Sequence, residues 1–381
     1  MIIGIDISAI PYGTGVSNYT LNLLRHLLKV DHQNTYKLFF SSLRQPLPSE
    51  ITPFLSSPQV KLYHFRLPPT LLEFLWHTLR FPSLNFFIGD CDVFHTWDWL
   101  QPPSTQTLMV TTIHDLVPLI YPQHQDPKTI AVFRRKINLA INSRTHFICV
   151  SQNTQRDFQK FYPQVPLSQI SQVYEAADDK FLQYQKLSDE LKASKIKQVY
   201  SLYDLKNYFL VQGTREPRKN LSHTIRAFNK FKMLHPTSKC ILAISGKYGW
   251  GKDIDTPKKP WIKVLGYIPE KDIVSLHAAA TCLINLSLYE GFGLQLIKSL
   301  AVGVPVIAAN RSSFPEIVGQ GGILVNPTST RDIILALETI YYHPKQRQAL
   351  SHAGLRQASK FSWKDTAIQT LAIYKHLYKN R

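Results

Sequence analysis

Acidic side chains are scarce in this chain. Only 26 of its 381 residues are Asp or Glu, against 44 Lys and Arg, which gives a formal net charge of +18 at pH 7. Charged residues of both signs make up 18% and apolar residues 44%. An average soluble domain carries ~25% charged residues, so a disordered or coiled-coil chain is excluded. No apolar run approaches the ~18–20 residues that span a bilayer. Cysteine is rare too. Cys91, Cys149, Cys240 and Cys282 are far apart, each within or beside an apolar run and none in a C-x-x-C pair. They read as reduced core thiols rather than metal ligands. The G-x-S-x-G, H-E-x-x-H and P-loop lysine motifs are missing, which removes support for hydrolase, zincin and NTPase chemistry. No aromatic RNA-binding signature is present either.

The basic excess attracts polyanions: nucleic acid, an acidic membrane face, or phosphorylated small molecules. Nucleic acid ranks last, for want of a reading motif. A length of 381 residues implies about two domains. The opening MIIGIDISAI has no basic leader and reads as a first strand, so the expectation is a cytoplasmic chain.

Short apolar runs alternate with longer amphipathic stretches, the pattern of parallel sheets covered by helices. Strands are expected over residues 2–8, 36–41, 60–65, 93–95, 107–113 and 146–150. A second series starts afresh over 208–212, 240–245, 262–265, 282–286, 305–308 and 323–325. Two α/β domains follow, one over 1–180 and one over 205–363. The polar, Lys-rich stretch 181–204 is placed as the linker, with one long helix as the alternative. The last stretch, 361–381, is helical in pattern, with Trp363, Ala367, Thr370, Leu371 and Tyr374 at spacings of three and four.

Four blocks carry candidate chemistry. Gly13 and Gly15 follow the first strand and precede a helix, where free backbone N–H groups suit a phosphate; a tight turn is the plainer alternative. A buried strand delivers His114 and Asp115 at its carboxyl end, where ligands of such folds sit. Arg218 and Lys219 stand at an expected helix start, against the macrodipole, so a bound anion such as a diphosphate explains them better than a solvated turn. Glu290, Gly293 and Leu294 form another helix entry, with backbone donors for an anion and a carboxylate for sugar hydroxyls or for an N-cap. Ser313 and Glu316 have the spacing of a capping box. Asp90 with Asp92 and Asp253 with Asp255 match D-x-D, a pattern of some metal-dependent transferases that is also common by chance.

In order along nearly the whole chain, these blocks resemble glycosyltransferase family 4. The resemblance rests on Gly13, Gly15 and Asn22, then His114 and Asp115 with Tyr121 and Pro122, then Ser151. It continues through Glu216, Arg218, Lys219 and Asn220, Glu290 with Gly293, Gly303 with Pro305, Phe314 to Gly319, and Phe361 with Trp363. It implies the GT-B architecture: an α/β chain of two Rossmann-like domains facing across a cleft, the acceptor on the N-terminal domain (1–180) and the nucleotide-sugar donor on the C-terminal one (205–363), with the final helix, 364–381, crossing back to the N-terminal domain. It implies a retaining, metal-independent transfer of a sugar from a nucleotide-diphosphate sugar to a saccharide or lipid-linked acceptor, with no cofactor. Arg218, Lys219, Gly13, Gly15, Gly293 and Leu294 would hold the donor diphosphate. His114 would lie beside the transferred sugar and Glu290 would contact its hydroxyls.

One position departs from the family. A second Glu commonly stands eight residues after the first and meets the ribose; here it is Lys298, which accepts no hydrogen bond. Three readings follow: an active enzyme with a rebuilt nucleotide contact that includes Lys298, an altered donor, or a degenerate paralogue that binds without catalysing. Many relatives work at the inner membrane face. The aromatic segment 70–87 is therefore either a core helix or a docking helix for an anionic membrane surface.

Overall fold

The computed structural model describes residues 1–97, 99–249 and 259–381. Two compact units divide the chain: Met1–Glu175 with Ser362–Arg381, and Ala176–Phe361.

The first unit is built on a seven-stranded sheet in the order β3-β2-β1-β4-β5-β6-β7. Its strands are β1 (Ile2–Asp6), β2 (Thr35–Ser41), β3 (Val60–Phe65), β4 (Val93–Thr96), β5 (Leu108–Ile113), β6 (His146–Cys149) and β7 (Ile170–Gln172). All neighbours pair in parallel. The central strands are buried on both faces, which is why they read as unbroken apolar runs. Helices α1 (Gly15–Val30), α2 (Pro127–Asn142) and α3 (Gln152–Phe161) cross between strands. Phe39, Trp76, Phe87 and Phe94 fill one core cluster, and Phe133, Ile137, Phe147 and Phe158 fill another.

The second unit has a six-stranded parallel sheet in the order β10-β9-β8-β11-β12-β13. These strands are β8 (Tyr208–Gln212), β9 (Ile241–Ser245), β10 (Ile262–Gly266), β11 (Cys282–Asn285), β12 (Val306–Ala309) and β13 (Gly322–Val325). The covering helices include α4 (Asp189–Tyr203), α5 (Leu221–Leu234), α6 (Leu294–Ala301), α7 (Phe314–Val318), α8 (Thr330–Tyr342) and α9 (Pro344–Ala358). Phe209, Phe228, Phe231, Ile284, Ile307 and Leu337 are core residues of this unit.

The last helix, α10 (Trp363–Lys379), packs on α1 and so returns to the first unit. Three contacts hold it there. The Tyr374 hydroxyl meets His95 Nδ1 at 2.5 Å, Thr366 Oγ1 donates to the Tyr174 carbonyl at 2.7 Å, and Trp363 meets the Tyr19 ring edge-on at 5.6 Å.

Every expected strand is present, within a few residues at either end. β7 is additional; a three-residue edge strand containing Ser171 and Gln172 has too little apolar pattern to announce itself. The stretch read as a linker holds α4 and lies inside the second unit, whose first residue is Ala176. Among the described residues no helix is long and apolar enough to cross a membrane.

Strand order reverses between β1 and β4 in the first unit and between β8 and β11 in the second. At such a reversal the loops leaving adjacent strands diverge to opposite faces and open a crevice at the carboxyl edge. The loops that follow β1, β4, β8 and β11 therefore border the two natural ligand positions.

Candidate functional site

In the second unit the loop after β8 forms a short 3-10 turn over Pro217–Lys219 before Asn220 enters α5. This turn sets the two cations ahead of the helix rather than in it. Arg218 is buried, and its guanidinium donates to the Tyr289 carbonyl at 2.6 Å and reaches Glu290 Oε2 at 3.1 Å. Its other terminal nitrogen is bonded to Glu216. Lys219 Nζ bonds the second oxygen of Glu290, which also accepts from Ser287 Oγ at 2.9 Å. Two cations and two carboxylates thus interlock across the loops after β8 and β11.

The Glu290 backbone is pinned from the next loop. Its N–H donates to Ser312 Oγ at 3.1 Å, and its carbonyl accepts from both Ser312 Oγ and Ser313 Oγ. Ser312 holds φ at +55°, a conformation few non-glycine residues adopt without support. Gly293, at φ +109°, then turns the chain into α6; a Cβ there would stand 3.0 Å from the Phe314 ring. Leu294 is the first residue of that helix.

In the first unit, Gly13 sits in the left-handed region at φ +62° with no atom within 4 Å of where a Cβ would lie. Thr14 caps α1 through a reciprocal pair with Ser17, so Gly15 is the first helical residue and is exposed. His114 lies at the end of β5. Its Nδ1 meets Glu175 Oε1 at 3.1 Å and its ring stands edge-on to Tyr19 at 4.6 Å.

Family models match both parts of the chain: "Glycosyltransferase Family 4" over residues 13–181 and "Glycosyl transferases group 1" over residues 192–357. The chain belongs to glycosyltransferase family 4. A similar curated relative is an O-antigen chain mannosyltransferase B from Escherichia coli, 26% identical over 376 residues and covering 96% of each chain. Two solved structures share the fold. Sucrose-phosphate synthase from Thermosynechococcus elongatus has a TM-score of 0.73 at 16% identity, over 100% of both chains. Anabaena HepE in complex with UDP and glucose has 0.71 at 15% identity, over 99% of this chain and 100% of that one.

In this GT-B glycosyltransferase the structure gathers Arg218, Lys219, Glu290, Gly293 and Leu294 in one unit and Gly13, Gly15 and His114 in the other. Arg218 and Lys219 face carboxylates of the protein itself, Glu216 and Glu290. Two expectations change. Glu290 does not cap α6, whose N-cap is Gly293. The capping box at Ser313 is absent, because the Ser313 hydroxyl donates to the Glu290 and Phe292 carbonyls instead of capping α7. Glu175 carries no signal in the sequence, while Glu216, Ser287 and Ser312 stand inside or beside recognised blocks without a role of their own. Asp90 accepts from Asn85 and Asp92 from the Ile2 N–H, as structural residues do. Asp253 and Asp255 lie outside the described residues.

Lys298 is in α6, and its amine meets Asp178 Oδ2 at 3.0 Å and lies 5.5 Å from the centre of the Phe181 ring. Beside it, burial and then the amines of Lys298 and Lys180 push the His277 pKa down to about 3. The neutral ring bridges Ser299 Oγ at 2.7 Å and Gln212 Oε1 at 2.5 Å. Since the Gln212 oxygen only accepts, His277 Nε2 carries the proton and Nδ1 accepts from Ser299.

Burial alone would raise the Glu290 pKa, but Lys219 and then Arg218 outweigh it and hold it at about 2. A depressed carboxylate stabilises the fold above its unfolded value, near 4.5, and loses that contribution as pH falls through about 2. Glu290→Gln is expected to cost about 1–3 kcal/mol at neutral pH, the scale for a lost charged hydrogen bond. It should also flatten this part of the acid limb, read by urea denaturation at pH 6 and pH 3; an unchanged acid limb would contradict the pairing. Lys298→Glu, which sets a carboxylate against Asp178, is expected to destabilise by about 1–3 kcal/mol. Adding Asp178→Lys should recover part of the loss in a double-mutant cycle, and no recovery would place the pair's energy elsewhere.

Proposed function

We propose that this glycosyltransferase moves a hexosyl group from a nucleotide-diphosphate sugar to a saccharide or lipid-linked saccharide, with retention of configuration and without a metal ion. The observation that carries this is the junction of Arg218, Lys219 and Glu290 on the two loops that leave the second sheet at its reversal of strand order.

The chemistry asks for those groups. As the bond from the anomeric carbon to the phosphate oxygen breaks, its electron pair leaves with the diphosphate. A guanidinium and an ammonium already fixed in place stabilise that growing charge without reorganising. Glu290, fully ionised at neutral pH, accepts hydrogen bonds from sugar hydroxyls. An acceptor hydroxyl attacks from the face the phosphate leaves, and its proton passes to a departing phosphate oxygen. On the family resemblance, Gly13, Gly15 and the N–H groups at Gly293 and Leu294 serve the diphosphate. His114, oriented by Glu175, serves the transferred sugar. Lys298 is taken up by Asp178 and is assigned to holding α6 rather than to the nucleotide.

Mannosyl is the first sugar to test, since the relatives are named as mannosyltransferases, and O-antigen assembly is the setting their names supply. A cytoplasmic reaction at the inner membrane face fits one further feature. In segment 70–87, Trp76, Leu84 and Phe87 are core residues, while Phe74, Phe81 and Phe86 are 52%, 70% and 75% exposed. The segment is thus core on one side and open aromatic surface on the other, which suits an anionic membrane.

Each of the UDP, GDP and ADP sugars should be titrated, and the anomeric configuration of the product read by NMR. One nucleotide class is expected to saturate the protein, with the donor configuration kept and the rate unchanged in EDTA. Lys219→Ala should lower kcat/KM about 10²–10³-fold, the scale for one lost transition-state donor. Inversion, or loss of activity in EDTA, would overturn the proposed chemistry; saturable binding without turnover would favour a degenerate paralogue.

A further inference from the structure

The order of the second sheet reverses between β8 and β11, which are neighbours. β8 ends on Gln212 and β11 on Asn285. Leu283 pairs with Leu210, and two further residues in that register set Asn285 level with Gln212. Val211 packs against the core cluster that contains Ile284. By the alternation of a strand, the two carboxamides therefore turn to the opposite face of the sheet, where both residues are partly exposed.

Each amide is held there by its oxygen. The buried, neutral ring of His277 donates from Nε2 to Gln212 Oε1 at 2.5 Å, while Ser299 of α6 holds its other nitrogen at 2.7 Å. The Ser287 backbone N–H donates to Asn285 Oδ1 at 3.1 Å, and because a backbone N–H only donates, it fixes which end of that amide is oxygen. The Ser287 hydroxyl lies 2.6 Å from the same oxygen and also bonds Glu290. Asn285 thus stands beside the junction of Glu290 with Arg218 and Lys219. Neither amide nitrogen has a partner among the described residues. Two NH2 groups on neighbouring strands, a spacing of ~4.8 Å, are left at the reversal with only donors to offer.

An oxygen that only accepts would complete both. A hydroxyl brings a proton of its own, and a hydrocarbon edge leaves the groups unpaired. A phosphate oxygen does neither, and it carries full charge. The neighbouring cations do not make such donors redundant: Arg218 and Lys219 are balanced by Glu216 and Glu290, whereas an amide whose oxygen is engaged presents a fixed dipole that no carboxylate cancels.

We propose that Gln212 and Asn285 are further donor-binding residues, an amide pair that receives oxygen of the donor's diphosphate beside the turn of Arg218 and Lys219. This rests on the glycosyltransferase function proposed above, and it adds two neutral groups to which the resemblance gives no role.

Calorimetry on the full chain with UDP, GDP and ADP identifies the nucleotide that saturates the wild-type protein. That nucleotide, its mannose conjugate and inorganic pyrophosphate are then titrated into four variants, each first shown to be folded by its thermal melt. Gln212→Met and Asn285→Ala remove the donated bond together with the bond on the protein side. Gln212→Glu and Asn285→Asp keep an oxygen for His277 and Ser287 and remove only the donor. Each variant is expected to weaken the nucleotide about tenfold or more, the scale of one hydrogen bond to a charged group. Pyrophosphate should weaken by a similar factor, and the carboxylate variants, which also repel phosphate, should lose most. Full nucleotide affinity in either carboxylate variant would return that amide to a purely structural role and overturn the pair. Loss confined to the sugar conjugate, loss that spares pyrophosphate, or failure of pyrophosphate to compete in the wild type would overturn it as well. A wild-type protein that binds none of the three nucleotides would defeat the function on which the proposal rests, whereas nucleotide bound equally by wild type and variants defeats only the amide pair.

Discussion

Glu290 ties two loops and two cations into one object, and the donor side of the molecule depends on that tie. Its carboxylate meets Lys219 through one oxygen and Arg218 through the other, while two serines hold its backbone. Bringing Arg218 and Lys219 together unpartnered would cost repulsion and desolvation in a partly closed site. With Glu290 and Glu216 present, the cations are fixed before any ligand arrives. A fixed cation stabilises developing negative charge more effectively than one that must first be ordered. The same arrangement explains why the carboxylate stays ionised although burial opposes it.

The sheets decide where that object sits. Each unit is a parallel sheet whose strand order reverses once, and each reversal is flanked by a distinct set of side chains. In the second unit these are the interlocked charges; in the first they are rings and carboxylates around a cavity. The charges of the second unit are paired and fixed before any ligand arrives, whereas the walls of the cavity in the first are largely apolar and aromatic. Helix α10 completes the first unit through Tyr374, Thr366 and Trp363.

Much of this was legible in the sequence, for definite reasons. Central parallel strands are buried on both faces, so runs such as those of β1, β5 and β11 are continuous and bounded by turn residues. β7 escaped because an edge strand of three residues carries almost no periodic signal. Arg218, Lys219 and Glu290 could each be picked out by residue type and position at a strand end. Their mutual pairing could not, since 71 positions separate Lys219 from Glu290 and only the sheet order brings them together. Ser313 shows the converse failure: its spacing to Glu316 is that of a capping box, but a carbonyl from another loop is nearer to hand. The partnership of Lys298 with Asp178 was equally invisible, because it joins α6 to a segment taken for the approach to a linker.

The central claim is that the loops after β8 and β11 together receive the diphosphate of the donor. Hydrogen exchange with and without a saturating nucleoside diphosphate tests it most directly, because it reports on each loop separately and needs no acceptor. The account predicts slowed exchange in residues 213–220 and 286–294 together, and loss of both effects in Lys219→Ala. Saturable binding that leaves these two loops unprotected would contradict it.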